Sequence, residues 1–240
     1  MLVEVCCNSL ESALNAEKAG ANRIELCSEL GVGGITPSYG LIQLVKQKLE
    51  IPIHVLLRPR SGHFTYTETE FEVLLRDIEV CKEIGVDGIV CGALNADSSL
   101  DIKKTTQLVK KSKPLHFTFH RGFDWISNQK EALQQLEEIG VDTILTSGKE
   151  INAEKGIKQL KELKSAPTSI AIMPGAGVNL ENVMKFKKAG FKAIHFSGTT
   201  FTNQVETSKK ITMNSQKHLA QHEVAVTNEH IVRQITQIVK

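Results

Sequence analysis

The stretch Ile84-Gly85-Val86-Asp87-Gly88-Ile89-Val90-Cys91 joins two kinds of periodicity. Before it, Phe71, Leu74, Leu75, Ile78 and Cys81 fall at i, i+3, i+4, i+7 and i+10, one apolar stripe on a helix over 68–84. After it comes a short β-favouring run. Glycine suits the joint because the residue that ends a helix commonly needs φ > 0. The same joint recurs at Ala19-Gly20-Ala-Asn-Arg-Ile-Glu-Leu-Cys27, Ile139-Gly140-Val-Asp-Thr-Ile-Leu145 and Ala189-Gly190-Phe-Lys-Ala-Ile-His195. Each marks a helix handing over to a strand.

Working outward from these joints, the chain offers eight strands, at about 2–6, 22–27, 53–58, 87–92, 115–120, 142–146, 169–173 and 193–197. Helix-length segments separate them. One is 129–139, with Ala132, Leu133, Leu136 and Ile139 on one face. Eight β-then-α units in 240 residues predict an α/β protein, a closed (β/α)8 TIM barrel, as one domain over 1–240. An open doubly wound sheet is the alternative, but it usually has fewer strands. The polar stretch at about 198–227 resists assignment. A helix at about 228–239, with Ile231, Ile235 and Ile238, closes the barrel.

Composition narrows the function. Hydrophobic residues are 41% and charged residues 23%, a globular balance. A net charge of +2 without a basic run argues against nucleic acid. No window is long and apolar enough to cross a bilayer, so no membrane partner is expected. The five cysteines are Cys6, Cys7, Cys27, Cys81 and Cys91, an odd number in a mid-sized chain. That argues against a secreted disulfide framework and for a reduced, cytoplasmic protein.

Strand residues alternate between the two faces of a sheet, so each strand divides into a helix-facing set and an interior set. Val3 and Val5, Ile24 and Leu26, Phe117 and Phe119, and Ile194 and Phe196 face the helices. Inward fall Glu4, Cys6, Glu25, Cys27, His54, Leu56, Arg58, His116, Thr118, His120, His195 and Ser197. Barrel interiors are usually Val, Ile and Leu. Buried polar groups are costly unless paired or wet, so this set implies a network, a pocket, or both.

Barrel sites form at the C-terminal strand ends. There, Cys6 and Cys27 end adjacent strands on one face. Two thiolates that close suit a soft metal, most naturally Cu(I). A disulfide and inert packing are the alternatives. Arg58-Pro-Arg60-Ser-Gly-His-Phe64 leaves strand three, and its guanidinium groups suit a carboxylate or phosphate. His120-Arg121-Gly-Phe-Asp124 sets an acid/base candidate beside a cation and a carboxylate. Asp124 either orients a histidine or binds Arg121. Gly175 and Gly177, before a helix expected near Asn179, can turn backbone N–H groups to an anion, with Ser147 and Ser197 on the same rim. Glu25 is either a general base or the ion-pair partner of Arg58.

Taken together, Glu4-Val-Cys6, Arg23-Ile-Glu25-Leu-Cys27, Gly33-Gly34-Ile-Thr36-Pro37-Ser38, Arg58-Pro-Arg60-Ser-Gly-His-Phe64, Phe119-His120-Arg121-Gly-Phe-Asp124, Leu145-Thr-Ser147-Gly148 and Met173-Pro-Gly-Ala-Gly177 resemble the CutC family of copper homeostasis proteins. The resemblance runs in order from residue 2 to about 200. It implies a (β/α)8 barrel in the cytoplasm, self-association into a homo-oligomer, and copper ion as partner, with Cys6 and Cys27 as the Cu(I)-binding residues. Ser61 and His63 stand where the family usually has Gly and Asp, Ala176 where it has Gly, and His195 where it has Glu.

Two functions follow as expectations. One is cytosolic Cu(I) binding or trafficking through Cys6 and Cys27. The other is an enzyme acting on a small anionic metabolite. Arg58, Arg60, Arg121, Ser147, Gly175, Gly177 and Ser197 would hold that substrate, and Glu25, His120 and Asp124 would do the chemistry.

Overall fold

The computed structural model describes residues 1–203, 205, 211 and 223–240. The strands are β1 (Leu2–Cys7), β2 (Arg23–Leu26), β3 (Ile53–Leu56), β4 (Gly88–Cys91), β5 (His116–Phe119), β6 (Thr143–Thr146), β7 (Ala171–Pro174) and β8 (Ala193–Phe196). All of them pair in parallel, in the order β7-β6-β5-β4-β3-β2-β1-β8. The end strands β7 and β8 lie side by side and nearly close the ring. Around it run α1 (Leu10–Lys18), α2 (Tyr39–Lys48), α3 (Glu68–Ile84), α4 (Ile102–Ser112), α5 (Gln129–Glu138), α6 (Ile157–Lys164), α7 (Val183–Lys188) and α8 (Glu229–Val239). This is the expected (β/α)8 barrel.

The helix-to-strand joint behaves as its sequence requires. Thr67 opens α3 with a capping box shared with Glu70, satisfying end N–H groups that have no partner inside the helix. Gly85 ends α3 at φ 82°. The α3 stripe of Phe71, Leu74, Ile78 and Cys81 is buried in the layer between strands and helices. The helix-facing strand residues Val3, Val5, Ile24, Leu26, Phe117, Phe119, Ile194 and Phe196 join it there. Inside the barrel the apolar content is small. Leu56 and Val90 pack with Cys6 and Cys27, while Leu145 and Met173 pack with Ala193. The interior is otherwise polar, as the alternation predicts.

One stretch gains an assignment and one expectation needs correction. The stretch 198–227, which resists assignment from sequence, is described in part. Its described parts form an antiparallel hairpin of β9 (Thr199–Asn203) and β10 (Glu223–Thr227), and the rest lies outside the described residues. Thr227 N–H donates to Ser12 Oγ, and Asn228 N–H to the Gly198 carbonyl, which tie β10 and α8 back to the barrel. The helix after β7 begins at Val183 rather than near Asn179. Asn179 to Asn182 form a turn, with Asn179 N–H donating to Asn182 Oδ1 and Asn182 Nδ2 to the Gly177 carbonyl.

Candidate metal centre

Strand register positions the site. The pairing sets Glu4 opposite Arg23 on β2 and opposite His195 on β8, and Cys6 opposite Glu25. All five side chains point inward and are buried. Glu4 is fully buried. One carboxylate oxygen takes the Arg23 guanidinium, and the other accepts from His195 Nδ1 at 2.7 Å. His54 Nδ1 stands 3.9 Å away. Burial pushes the Glu4 carboxyl up, but the His195 hydrogen bond and the Arg23 charge outweigh it and hold it down at about 2. A buried charge of this kind is tolerable because it is paired.

Cys6 and Cys27 meet above this network. Both are free thiols, and their Sγ atoms are 3.6 Å apart. Cys6 also donates to Glu25 Oε1 at 3.5 Å. The contact with Cys27 and then burial push the Cys6 thiol well above its ordinary range. Glu25 is raised too, by desolvation, and its Oε2 is buried without a hydrogen-bond partner. Burial pulls His195 down, but the facing Glu25 and Glu4 carboxyls prevail and raise it. Gly34 stands against Cys27. Gly34 sits at φ +85°, and a Cβ there would lie 2.6 Å from Leu56, so only glycine fits this close approach.

Above the thiols opens a cavity of about 700 Å³ at the C-terminal strand ends. Cys6, Glu25 and His195 form part of its floor, whereas Cys27 does not line it. His120, Phe64 and Trp125 form a wall. His120 Nδ1 accepts from Gly122 N–H at 3.2 Å, so the ring proton sits on Nε2, which is buried and unpartnered. Burial lowers its pKa to about 3, so the ring is neutral at ordinary pH.

The CutC family model matches residues 1–200. The chain belongs to the CutC family. A CutC protein of Pectobacterium atrosepticum is 42% identical over 209 residues, 87% of this chain and 83% of that one. One from Bacteroides fragilis is 40% identical over 236 residues, 94% and 92% of the two chains. The solved structure of CutC from Streptococcus agalactiae matches with a TM-score of 0.78 and 35% identity, over 82% of this chain and 98% of that one. Thiamine phosphate pyrophosphorylase from Pyrococcus furiosus, at 14% identity and a TM-score of 0.59, shares the barrel fold.

In this CutC chain the other expected site residues divide. Arg58 reaches the cavity, but it donates to the carbonyls of Val32, Gly34 and Gly62 and lies 5.0 Å over the Phe64 ring. It braces two loops and forms no ion pair with Glu25. Arg60 turns outward to Glu70 and to the Thr65 carbonyl. The two arginines therefore do not converge on one anion. Asp124 does not orient His120. Its carboxylate is taken by Arg121, Thr146, Ser147 and Lys149 N–H, so it organises the loop after β6. Ser147 is fully buried against it, beneath the rim rather than on it. Gly177 and Ser197 do line the cavity, as does half-exposed Arg121. Gly175 N–H is spent on the Thr146 carbonyl, and Ala176 adopts φ 75°. His63 Nδ1 is engaged by Thr65 N–H. The residue that sequence reasoning missed is Arg23. Its signal was present, because it stands two before Glu25 and therefore on the same interior face.

Proposed function

We propose that this chain binds Cu(I) through Cys6 and Cys27 and serves copper homeostasis in the cytosol. What carries the reading is the pair of free thiols on adjacent strands, with their sulfur atoms 3.6 Å apart and one of them on the cavity floor. Soft thiolates select Cu(I) over harder ions. The S. agalactiae relative, 35% identical, is named for copper homeostasis. Copper is the cargo here, and the cavity is its route, because Cys27 is fully buried and Cys6 faces the opening. The Cys6 proton must leave as copper arrives, so apparent affinity rises with pH.

The test is an anaerobic Cu(I) competition titration of the wild type against the Cys6→Ser/Cys27→Ser double variant. The expected result is one tight equivalent in the wild type and at least a hundredfold loss in the variant. Equal, weak binding by both overturns the reading.

A further inference from the structure

The thiol pair leaves two buried groups on the cavity floor unused. Cys6 Sγ, a Glu25 carboxylate oxygen and a His195 ring nitrogen all lie within 4.8 Å of one another. Cys6 Sγ and Glu25 Oε1 are 3.5 Å apart. Tetrahedral Zn²⁺ with bonds of about 2.3 Å to sulfur and about 2.1 Å to oxygen needs an edge of roughly 3.6 Å. His195 Nδ1 is committed to Glu4, and Glu4 is gripped by Arg23, so Nε2 is the donor left to face the floor. A carboxylate on the far ring nitrogen is the usual way a metal-binding histidine is held in orientation. Glu25 Oε2 adds an independent sign, a buried acceptor with no partner. Such atoms are costly unless something answers them.

We propose that Cys6, Glu25 and His195 form a three-ligand site for a borderline divalent cation such as Zn²⁺, with its fourth position open to the cavity. One thiolate, one imidazole and one carboxylate make a borderline donor set, unlike the soft pair of thiolates that suits Cu(I). Three protein ligands and an open position are the pattern of zinc sites that bind a further molecule. His120 lines the same cavity, and its buried Nε2 N–H has no partner. Cys27 is outside this group, so only Cys6 serves both ions. Zn²⁺ and Cu(I) therefore compete, yet the zinc site stands without the copper reading.

The experiment measures Zn²⁺ binding under anaerobic, reducing conditions by competition with a chromophoric chelator, with Co²⁺ spectra of the wild type alongside. Cys27→Ser should bind one equivalent of Zn²⁺ within threefold of the wild type. His195→Gln and Glu25→Gln, each checked for a native thermal melt, should lose at least tenfold. Wild-type Co²⁺ should give tetrahedral d–d bands and a sulfur charge-transfer band, a readout that needs no variant. No stoichiometric Zn²⁺ binding by the wild type, or wild-type affinity in both His195→Gln and Glu25→Gln, overturns the proposal. Cu(I) binding retained in Cys27→Ser would instead overturn the copper reading, and leave this one standing.

Discussion

Arg23→Met removes the guanidinium that neutralises a fully buried carboxylate. Glu4 has 0% exposure and Arg23 has 8%, so water cannot replace the lost partner. Breaking one half of a buried ion pair typically costs about 3–5 kcal/mol, because the remaining charge stays desolvated. His195 and His54 still face Glu4, which places the expected loss nearer about 3 kcal/mol. For a chain of 240 residues the unfolding entropy is about 0.5 kcal/mol/K, so Tm should fall by about 6 °C. The assay is urea and thermal unfolding by circular dichroism at pH 7 with a thiol reductant. The Glu4→Gln/Arg23→Met double variant should recover at least half the loss, since the amide still accepts from His195 and carries no charge. A single variant within about 1 kcal/mol of the wild type, or a double variant no better than the single, would refute the argument that this pair carries the buried charge.

Acid should destabilise the protein in two stages. His54 and His120 have folded pKa values of about 3 against 6.5 unfolded, so the unfolded chain takes up protons first. Stability therefore falls as pH drops below 6.5, by about 2 kcal/mol for each histidine at pH 5, and His120→Phe should flatten that limb in urea titrations. Glu4, at about 2 against 4.5, adds a second loss of about 3 kcal/mol as pH falls from 4.5 toward 2, which Glu4→Gln should abolish. Gly88→Ala should cost about 1–3 kcal/mol by overpacking, because a Cβ there would lie 2.5 Å from the His54 ring; wild-type stability on chemical denaturation would contradict the packing.

Much of the site was legible because a barrel strand has a period of two. Once Val3 and Val5 face the helices, Glu4 and Cys6 must face inward, and parallel register carries that choice across to Glu25 and His195. Arg23 obeys the same rule, two residues before Glu25 on β2 and opposite Glu4. The rim was less legible. Arg58 ends a long, rotatable side chain, and its choice among Glu25, an anion and three backbone carbonyls depends on where the Leu30–Gly34 and Gly62 loops come to rest. For Asp124 the sequence offers a histidine or Arg121, and the structure takes Arg121, while the turn after β6 adds N–H and hydroxyl donors that a linear motif does not display.

The amino-acid order alone determined the eight-stranded barrel, the helix-to-strand glycine joints, and the thiols, carboxylates and imidazoles that share the interior. Those follow from periodicity and φ, which are local. Tertiary structure decided who holds whom: Arg23 on Glu4, Glu4 on His195, Cys6 between Cys27 and Glu25, and Arg58 on its loops. Hydrogen bonds and metal sites need atoms brought within about 3–4 Å, and residues 191 positions apart, such as Glu4 and His195, meet only when the ring of strands closes.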